Sequence, residues 1–307
     1  MTNDIPAQNP PSICDYEGST YRTDFWEGQG REYEDWVERI ALRKLLPPTG
    51  PRLLDIGAGF GRLIDLYGGY DEIVLLDYST SLLREARERL GDDSRYRYVA
   101  ANFYYMPFVD GLVETAVMVR VLHHAQDAPA VLREIARVVG ARGHLVLEYA
   151  NKRHIKAMLR YLLRRQDWNP FDSRPTEFVR LNFDFHPAYI RQHLTQVGFT
   201  IQQERAVSAF RLPLLKRTIP PRLLAAFDGF FQRPLASFKP TPSIFLRACR
   251  DKSAAVAPAG SFFRCPACHS ADFTTGDHTL ICPDCTRQWP IVGGVYDFRW
   301  PRETHDE

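Results

Sequence analysis

Along residues 50–150, short apolar runs alternate with segments whose apolar positions recur every three or four residues. The runs near 52–56, 72–77, 96–101, 112–121 and 144–149 predict strands, and the segments near 60–67, 80–90 and 128–139 predict helices. This alternation implies a parallel sheet with helices on both faces. Ahead of it, Tyr33, Trp36, Val37, Ile40 and Leu45 have helical spacing in a segment closed by Pro47-Pro48, whereas residues 1–20 look irregular.

A helix is expected over Lys152–Arg165, with Ile155, Met158, Leu159, Leu162 and Leu163 on one side and Lys152, Lys156, Arg160 and Arg164 on the other. His186-Pro187 opens a further helix that Gly198 closes. Phe199–Val207 and Ser243–Cys249 read as two more strands. Residues 210–240, rich in Pro, Phe, Leu and Arg, read as an insertion over the sheet's carboxyl edge, and Asp251–Gly260 has linker composition. The expected organisation is an N-terminal segment and helix over 1–50, a main domain over 51–250, a linker over 251–261 and a small module over 262–301.

The 307 residues suffice for one large core with an appendage. The formal charge of +2 conceals an uneven distribution. Asn151–Arg165 carries six Lys or Arg and no acid, and Arg205–Arg250 carries nine against one. There is no apolar stretch of the roughly 20 residues that crosses a bilayer, and the first residues lack a basic, then apolar, leader. A cytoplasmic protein is expected.

The most informative stretch is Asp55-Ile-Gly57-Ala-Gly59-Phe-Gly61-Arg62, where an apolar strand runs into three alternating glycines. Glycines there bring bare backbone against a ligand, and a following helix would offer unpaired N–H groups. The dinucleotide fingerprint wants Gly or Ala where Arg62 stands, which argues against NAD. Asp77 follows Gly57 by twenty residues, at the end of the second strand, where an acid can hold ribose hydroxyls. With Asn102-Phe103, Met106-Pro107-Phe108, Val119–His124, Leu132–Val139 and Gly143–Glu148 in matching order, the chain resembles the class I S-adenosylmethionine-dependent methyltransferases. The resemblance implies an α/β, doubly wound, seven-stranded Rossmann-like sheet whose last strand is antiparallel.

It also implies site roles. Gly57, Gly59 and Gly61 would cradle the methionine portion of S-adenosylmethionine, and Asp55 would contact its amino-acid end. Asp77 would hold the ribose or else cap the next helix, and Asn102 would accept from the adenine amino group. Phe103 would lie on the adenine face or else in the core. His123 and His124 either line the acceptor pocket, where one could serve as a base, or are satisfied polar groups at a strand end. Arg120, Glu148 and Tyr21 are weaker candidates, and Asn182, Asp184 and His186 serve either as caps or in acceptor binding. After the fourth strand there is no Asn/Asp-Pro-Pro-aromatic motif of amide or exocyclic nitrogen methylation, and no cysteine for covalent pyrimidine methylation. The His-His ending resembles quinone-biosynthesis and small-molecule enzymes, and also tRNA wobble-uridine carboxylmethyltransferases.

Cys265-Pro-Ala-Cys268 and Cys282-Pro-Asp-Cys285 have the spacing of two zinc knuckles, with redox pairs or free thiols as the alternative. A segment of about 40 residues buries too little apolar surface to fold alone, so a structural Zn2+ would supply its folding energy. Cys14 and Cys249 match neither pair. With Arg287–Val295, this module resembles the small zinc-ribbon protein that activates several tRNA, ribosomal RNA and release-factor methyltransferases, which suggests a scaffold or docking role. A methyltransferase of RNA or a translation-related protein is therefore the leading expectation, because clustered cations bind phosphates. The alternatives are a methyltransferase of a small apolar acceptor such as a quinone or lipid precursor, with peripheral membrane contact, and a non-catalytic cofactor-binding regulator.

Overall fold

The computed structural model describes residues 11–18, 22, 26 and 29–299. Its centre is one mixed sheet built from β1 (Gly50–Ile56), β2 (Tyr70–Asp77), β3 (Tyr96–Ala100), β4 (Val113–Met118), β5 (Val139–Ala150), β8 (Phe199–Val207) and β9 (Ser243–Arg250). These run in the order β3-β2-β1-β4-β5-β9-β8, with β9 inserted antiparallel between β5 and β8. Among the described residues the sheet has eleven strands, not seven. Beyond β3 it continues through β13 (Val295–Asp297), β12 (Gln288–Val292), β11 (Thr279–Ile281) and β10 (Thr274–Gly276). The reason is an open edge: β3 would otherwise present unpaired N–H and C=O groups, and β13 pairs with it in parallel, Tyr296 opposite Val99. The small hairpin of β6 (Thr176–Val179) and β7 (Asn182–Asp184) stands apart from this sheet.

The central strands are apolar on both sides, and alternate residues go to opposite cores. Leu54, Ile56, Val74 and Leu76 pack under α3 (Ala128–Val138), α5 (Pro187–Gln196) and the C-terminal module. Leu53, Ile73 and Leu75 pack under α1 (Glu32–Leu45), α2 (Thr80–Leu90) and α7 (Pro221–Leu235). The 210–240 insertion thus folds as α6 (Pro213–Thr218) and α7, with α7 against α1. There Tyr33 Oη donates to Asp228 Oδ2 at 2.9 Å and Gln232 Nε2 donates to the Val37 carbonyl at 3.0 Å.

The helix expected at 60–67 is a single turn of 3-10 helix, Ile64–Leu66. Gly57, Gly59 and Gly61 have φ of 73°, 52° and 72°, a left-handed backbone that no α-helix can contain, and Gly68-Gly69 already return the chain to β2. The segment that follows the glycine loop therefore presents no α-helix N-terminus to it. The loop's N–H groups are used locally instead: Gly57 and Ala58 donate to the Leu76 carbonyl at 2.7 and 3.0 Å. The helix expected over 152–165 is also shorter, with α4 spanning Ile155–Leu162. The 251–261 run, despite its linker composition, is tied to the main sheet where Ala141 N donates to the Ala255 carbonyl and Ala257 N to that of Gly111.

Candidate functional site

The carboxyl ends of β1, β2 and β4 open on two adjoining clefts that share Gly57, Gly59 and Arg120. Gly57 is forced by both backbone and space, since a Cβ there would stand 2.1 Å from Val121 Cγ2. At the tip of β2, Asp77 Oδ2 accepts from Gly59 N at 2.7 Å and Oδ1 accepts from Ser79 N at 2.9 Å. The Tyr78 N–H also reaches this carboxylate, and since an ionised carboxylate has about four acceptor positions, about one remains. Burial lifts the Asp77 carboxyl to about 6 despite these N–H donors. Ser79, not Asp77, caps α2, accepting from Leu82 N at 3.3 Å.

Asp55 is buried at the end of β1 and lines the second cleft. Burial raises its carboxyl to about 7, opposed by the Tyr67 hydroxyl, which donates at 3.1 Å, and by Arg62. Arg62 and Arg120 both pair with buried Glu38 and both face the Trp26 ring, at 3.8 and 5.2 Å from its centroid. Burial would raise Glu38, but the two guanidinium groups outweigh it and hold the acid below its usual range. Trp26 and Glu38 come from a segment with no motif.

The first cleft takes Ile13, Cys14 and Tyr16 from the N-terminal segment, with Asp77, Tyr78, Phe103 and His124. Phe103, buried to 8% exposure beside Tyr104, lines the cleft. Asn102 lies just behind. Its oxygen accepts from Tyr104 N at 2.9 Å, and its buried Nδ2 has no partner among the described residues. The oxygen read as the adenine contact is thus already engaged by the backbone, and the free donor is the amide nitrogen.

His123 and His124 sit with ring centroids 4.0 Å apart, but His124 alone lines the cleft. Its Nδ1 faces the Leu181 carbonyl at 3.0 Å and so carries the proton, leaving Nε2 to accept from the Tyr16 hydroxyl at 3.3 Å. Burial lowers both imidazoles, and His124 and Arg120 push His123 further down. Both rings are neutral near pH 7.

Arg120 has φ of 60°, and its N–H donates to Glu148 Oε2 at 2.9 Å. Glu148 also accepts from Ser243 Oγ at 2.6 Å, and burial raises its carboxyl. The trio after β6 separates in role. Nδ1 of His186 caps α5, accepting from Ala188 N at 3.2 Å, and Asn182 Nδ2 donates to the Arg180 carbonyl. Asp184 is lifted to about 6 by burial and by Glu148, against Lys152 and Arg160. Tyr21 lies outside the described residues.

At the far end of the sheet, the sulfurs of Cys265, Cys268, Cys282 and Cys285 lie within 4.8 Å of one another. Cys265–Cys285 and Cys268–Cys282 stand at 3.7 and 3.4 Å. Four thiolates around one tetrahedral ion with bonds of about 2.3 Å would be about 3.8 Å apart, so the donor set fits zinc. This module meets the main sheet through Phe262 and Phe263 on Phe108, through Arg264 on Asp110, and through β13. Its last described residue, Arg299, lies 5.8 Å from the centroid of Tyr78, a cleft residue.

Residues 54–147 match the family model described as a methyltransferase domain. The malonyl-[acyl-carrier protein] O-methyltransferase of Legionella pneumophila is 30% identical over 112 residues, 36% of this chain and 38% of that protein. The ubiquinone/menaquinone biosynthesis C-methyltransferase of Shewanella oneidensis is 34% identical over 113 residues, 34% of this chain and 45% of that one. The chain spans less than half the length of these relatives. Among solved structures, a chain of the complex between the Haloferax volcanii Trm112 methyltransferase activator and a methyltransferase aligns with a TM-score of 0.51 at 14% identity, covering 75% of this chain and 96% of that one. An S-adenosylmethionine-dependent methyltransferase from Listeria monocytogenes gives 0.51 at 16%, covering 71% and 99%. At such identities these two show the fold. Residues 54–147 thus match the methyltransferase-domain model, and the sheet around them has the fold of the methyltransferase structures it resembles.

Proposed function

We propose that the chain is an S-adenosylmethionine-dependent methyltransferase acting on a small apolar acceptor, with a structural zinc ion on Cys265, Cys268, Cys282 and Cys285. The carrying observation is the Asp77 carboxylate, tied to Gly59 N and Ser79 N yet left with acceptor capacity at the mouth of a cleft roofed by bare glycine backbone. That capacity suits a ribose hydroxyl. The second cleft suits an amino-acid end: Asp55 for the ammonium, Arg62 and Arg120 for the carboxylate. Phe103 suits the face of the base; Asn102 beside it lines neither cleft, and its buried, unpartnered Nδ2 is the donor that a ring nitrogen of the base would have to draw on.

The bound cofactor supplies an electrophilic methyl group. The chain's own residues position the acceptor and exclude water, which for a direct displacement supplies most of the rate. His124 is the residue for proton removal. It is neutral, with Nε2 hydrogen-bonded to Tyr16, so a proton from the acceptor can pass to the Tyr16 oxygen as the hydroxyl proton moves to Nε2. His123 stands behind it and orients the ring by contact. A zinc ion on these four thiolates would have no open position, so it would hold structure and do no chemistry.

An apolar acceptor is favoured over RNA because the basic helix α4 turns leucines, not a stacking platform, to solvent. Titration calorimetry with S-adenosylmethionine and S-adenosylhomocysteine tests the cofactor site. Asp77→Ala should weaken binding by about 2–3 kcal/mol, through loss of a charge-assisted contact, and unchanged affinity would place the ribose elsewhere. Labelled methyl transfer into lipid, RNA and protein fractions of an extract tests the acceptor. Label in RNA alone would return the polynucleotide reading, and binding without transfer would leave a regulator.

A further inference from the structure

An amphipathic helix normally turns its apolar stripe to the core. Helix α4 does the reverse. Ile155, Leu159, Leu162 and Leu163, at i, i+4, i+7 and i+8, are all exposed, Leu162 to 68%, while Ala157 is its only buried residue. The second helix of the insertion repeats the arrangement. Leu223, Phe227 and Phe230 form an outward stripe on α7, with Phe230 at 75%, and Phe238 just beyond is equally exposed.

These stripes belong to neighbouring parts of the molecule. Ile155 N donates to the Pro240 carbonyl, and Asn151 Nδ2 donates to those of Lys239 and Thr241, so α4 starts beside the turn that carries Phe238. Phe210, at the entrance to α6, has its ring 5.1 Å from Phe227. Isolated exposed apolar residues are ordinary, but a set this large and this grouped marks an interaction surface.

The charge decides which partner. Lys156 on α4, Arg164 and Arg165 just beyond its end, and Arg217, Arg222 and Arg233 around α7 are exposed. Asn151–Arg165 contains no acid, and the single acid of Arg205–Arg250, Asp228, is buried against Tyr33. Glu34 takes up Arg211 and Lys216, and Glu204 takes up Lys239, whereas the six exposed cations named above enter no such pair among the described residues; an apolar stripe flanked by these cations is complementary to the boundary between acyl chains and anionic headgroups.

We propose that α4 and the α6–α7 insertion form a docking face for an anionic lipid bilayer, into which the leucines and phenylalanines insert while the flanking lysines and arginines meet the headgroups. No helix of the described residues is long and apolar enough to cross a membrane, so the contact lies in the interface plane. The face stands on its own geometry. Its link to the acceptor rests on the reading above: a bilayer-resident apolar molecule would be presented to the enzyme without crossing water.

The test is flotation of the full-length, zinc-loaded protein with phosphatidylcholine vesicles, with and without phosphatidylglycerol, at low and high salt. Binding should be at least about tenfold stronger with the anionic lipid and should weaken with salt. Leu159→Glu/Leu162→Glu and Phe227→Glu/Phe230→Glu should each reduce it at least about tenfold, while circular dichroism and S-adenosylmethionine affinity stay at the parent values. No binding to anionic vesicles, or variants that float as the parent does, overturns the proposal. So does a concentration-dependent dimer that the same substitutions disperse, or an RNA complex they abolish, because the face would then belong to another partner. Vesicle binding needs no cofactor, so a failed flotation leaves the methyltransferase reading standing, and a failed cofactor titration leaves the docking face standing.

Discussion

Asp55 shows how far a single residue's setting departs from its type. Burial at the end of β1 lifts its carboxyl to about 7. The folded chain therefore keeps a proton that the unfolded chain sheds near the ordinary carboxylate value. The stability this group contributes is complete below about pH 4 and is lost as pH rises through about 7. In the cofactor-free protein, the melting temperature should fall between about pH 5 and 7.5, and Asp55→Asn should flatten that fall. Over the same window S-adenosylmethionine should bind the parent more tightly as the carboxylate forms opposite its ammonium. Scanning calorimetry and titrations at both ends of the window check this, and a slope that Asp55→Asn leaves unchanged would exclude Asp55 as its source. At this scale Asp55, the glycines and Asp77 were legible because their relation is covalent spacing along one strand–loop–strand unit. Tyr16, Trp26 and Glu38 were not, because the chain brings them to the clefts from elsewhere and no local pattern marks them. The histidine pair was legible as a pair, but only the packing of Leu181 and Tyr16 distinguishes His124 from His123.

Of the helix ends read from the sequence, His186-Pro187 opens α5 and Gly198 closes it; the other caps emerge from the structure. Ser79, Asp127 and His186 each cap the helix that follows, and Gly91 and Gly198 close two helices with φ of 76° and 80°. The segment at 60–67 had apolar spacing without such signals, and its flanking glycines decide against an α-helix. The 210–240 insertion depends on a tertiary contact. Gly229 lets α7 approach α1, where a Cβ would stand 2.9 Å from Ile40 Cγ2. Asp228 accepts there from Tyr33 Oη, from Ala209 N at 2.7 Å and from Gln232 Nε2 at 3.3 Å. Asp228→Ala strands these buried donors and should lower stability by about 2–3 kcal/mol in urea unfolding, with Asp228→Asn costing less. A change within about 0.5 kcal/mol would mean that water replaces the carboxylate.

Across the whole molecule, the C-terminal module and the clefts proposed for the cofactor are joined through the backbone of the sheet. Phe298 N donates to the Ala100 carbonyl at 2.7 Å, one residue before the loop that carries Asn102 and Phe103. Arg299 lies over Tyr78 and within 3.7 Å of Glu17, which accepts from Thr80 N at the start of α2. Stripping the proposed zinc should therefore weaken S-adenosylmethionine binding about five- to a hundredfold, and by reciprocity the cofactor should slow loss of the metal to a chelator. Calorimetry on chelated protein and on Cys282→Ser checks this, and equal affinities with and without metal would uncouple the two sites. The sequence by itself determined the alternating α/β order, the glycine loop with its two acids, and the paired cysteines, because each is a relation between residues close along the chain. Only the tertiary structure decided that the sheet runs to eleven strands, which histidine reaches the cleft, and that α4 and α7 turn their apolar stripes outward. Those outcomes depend on which surfaces remain to be covered once the chain has folded, and local pattern carries no record of that.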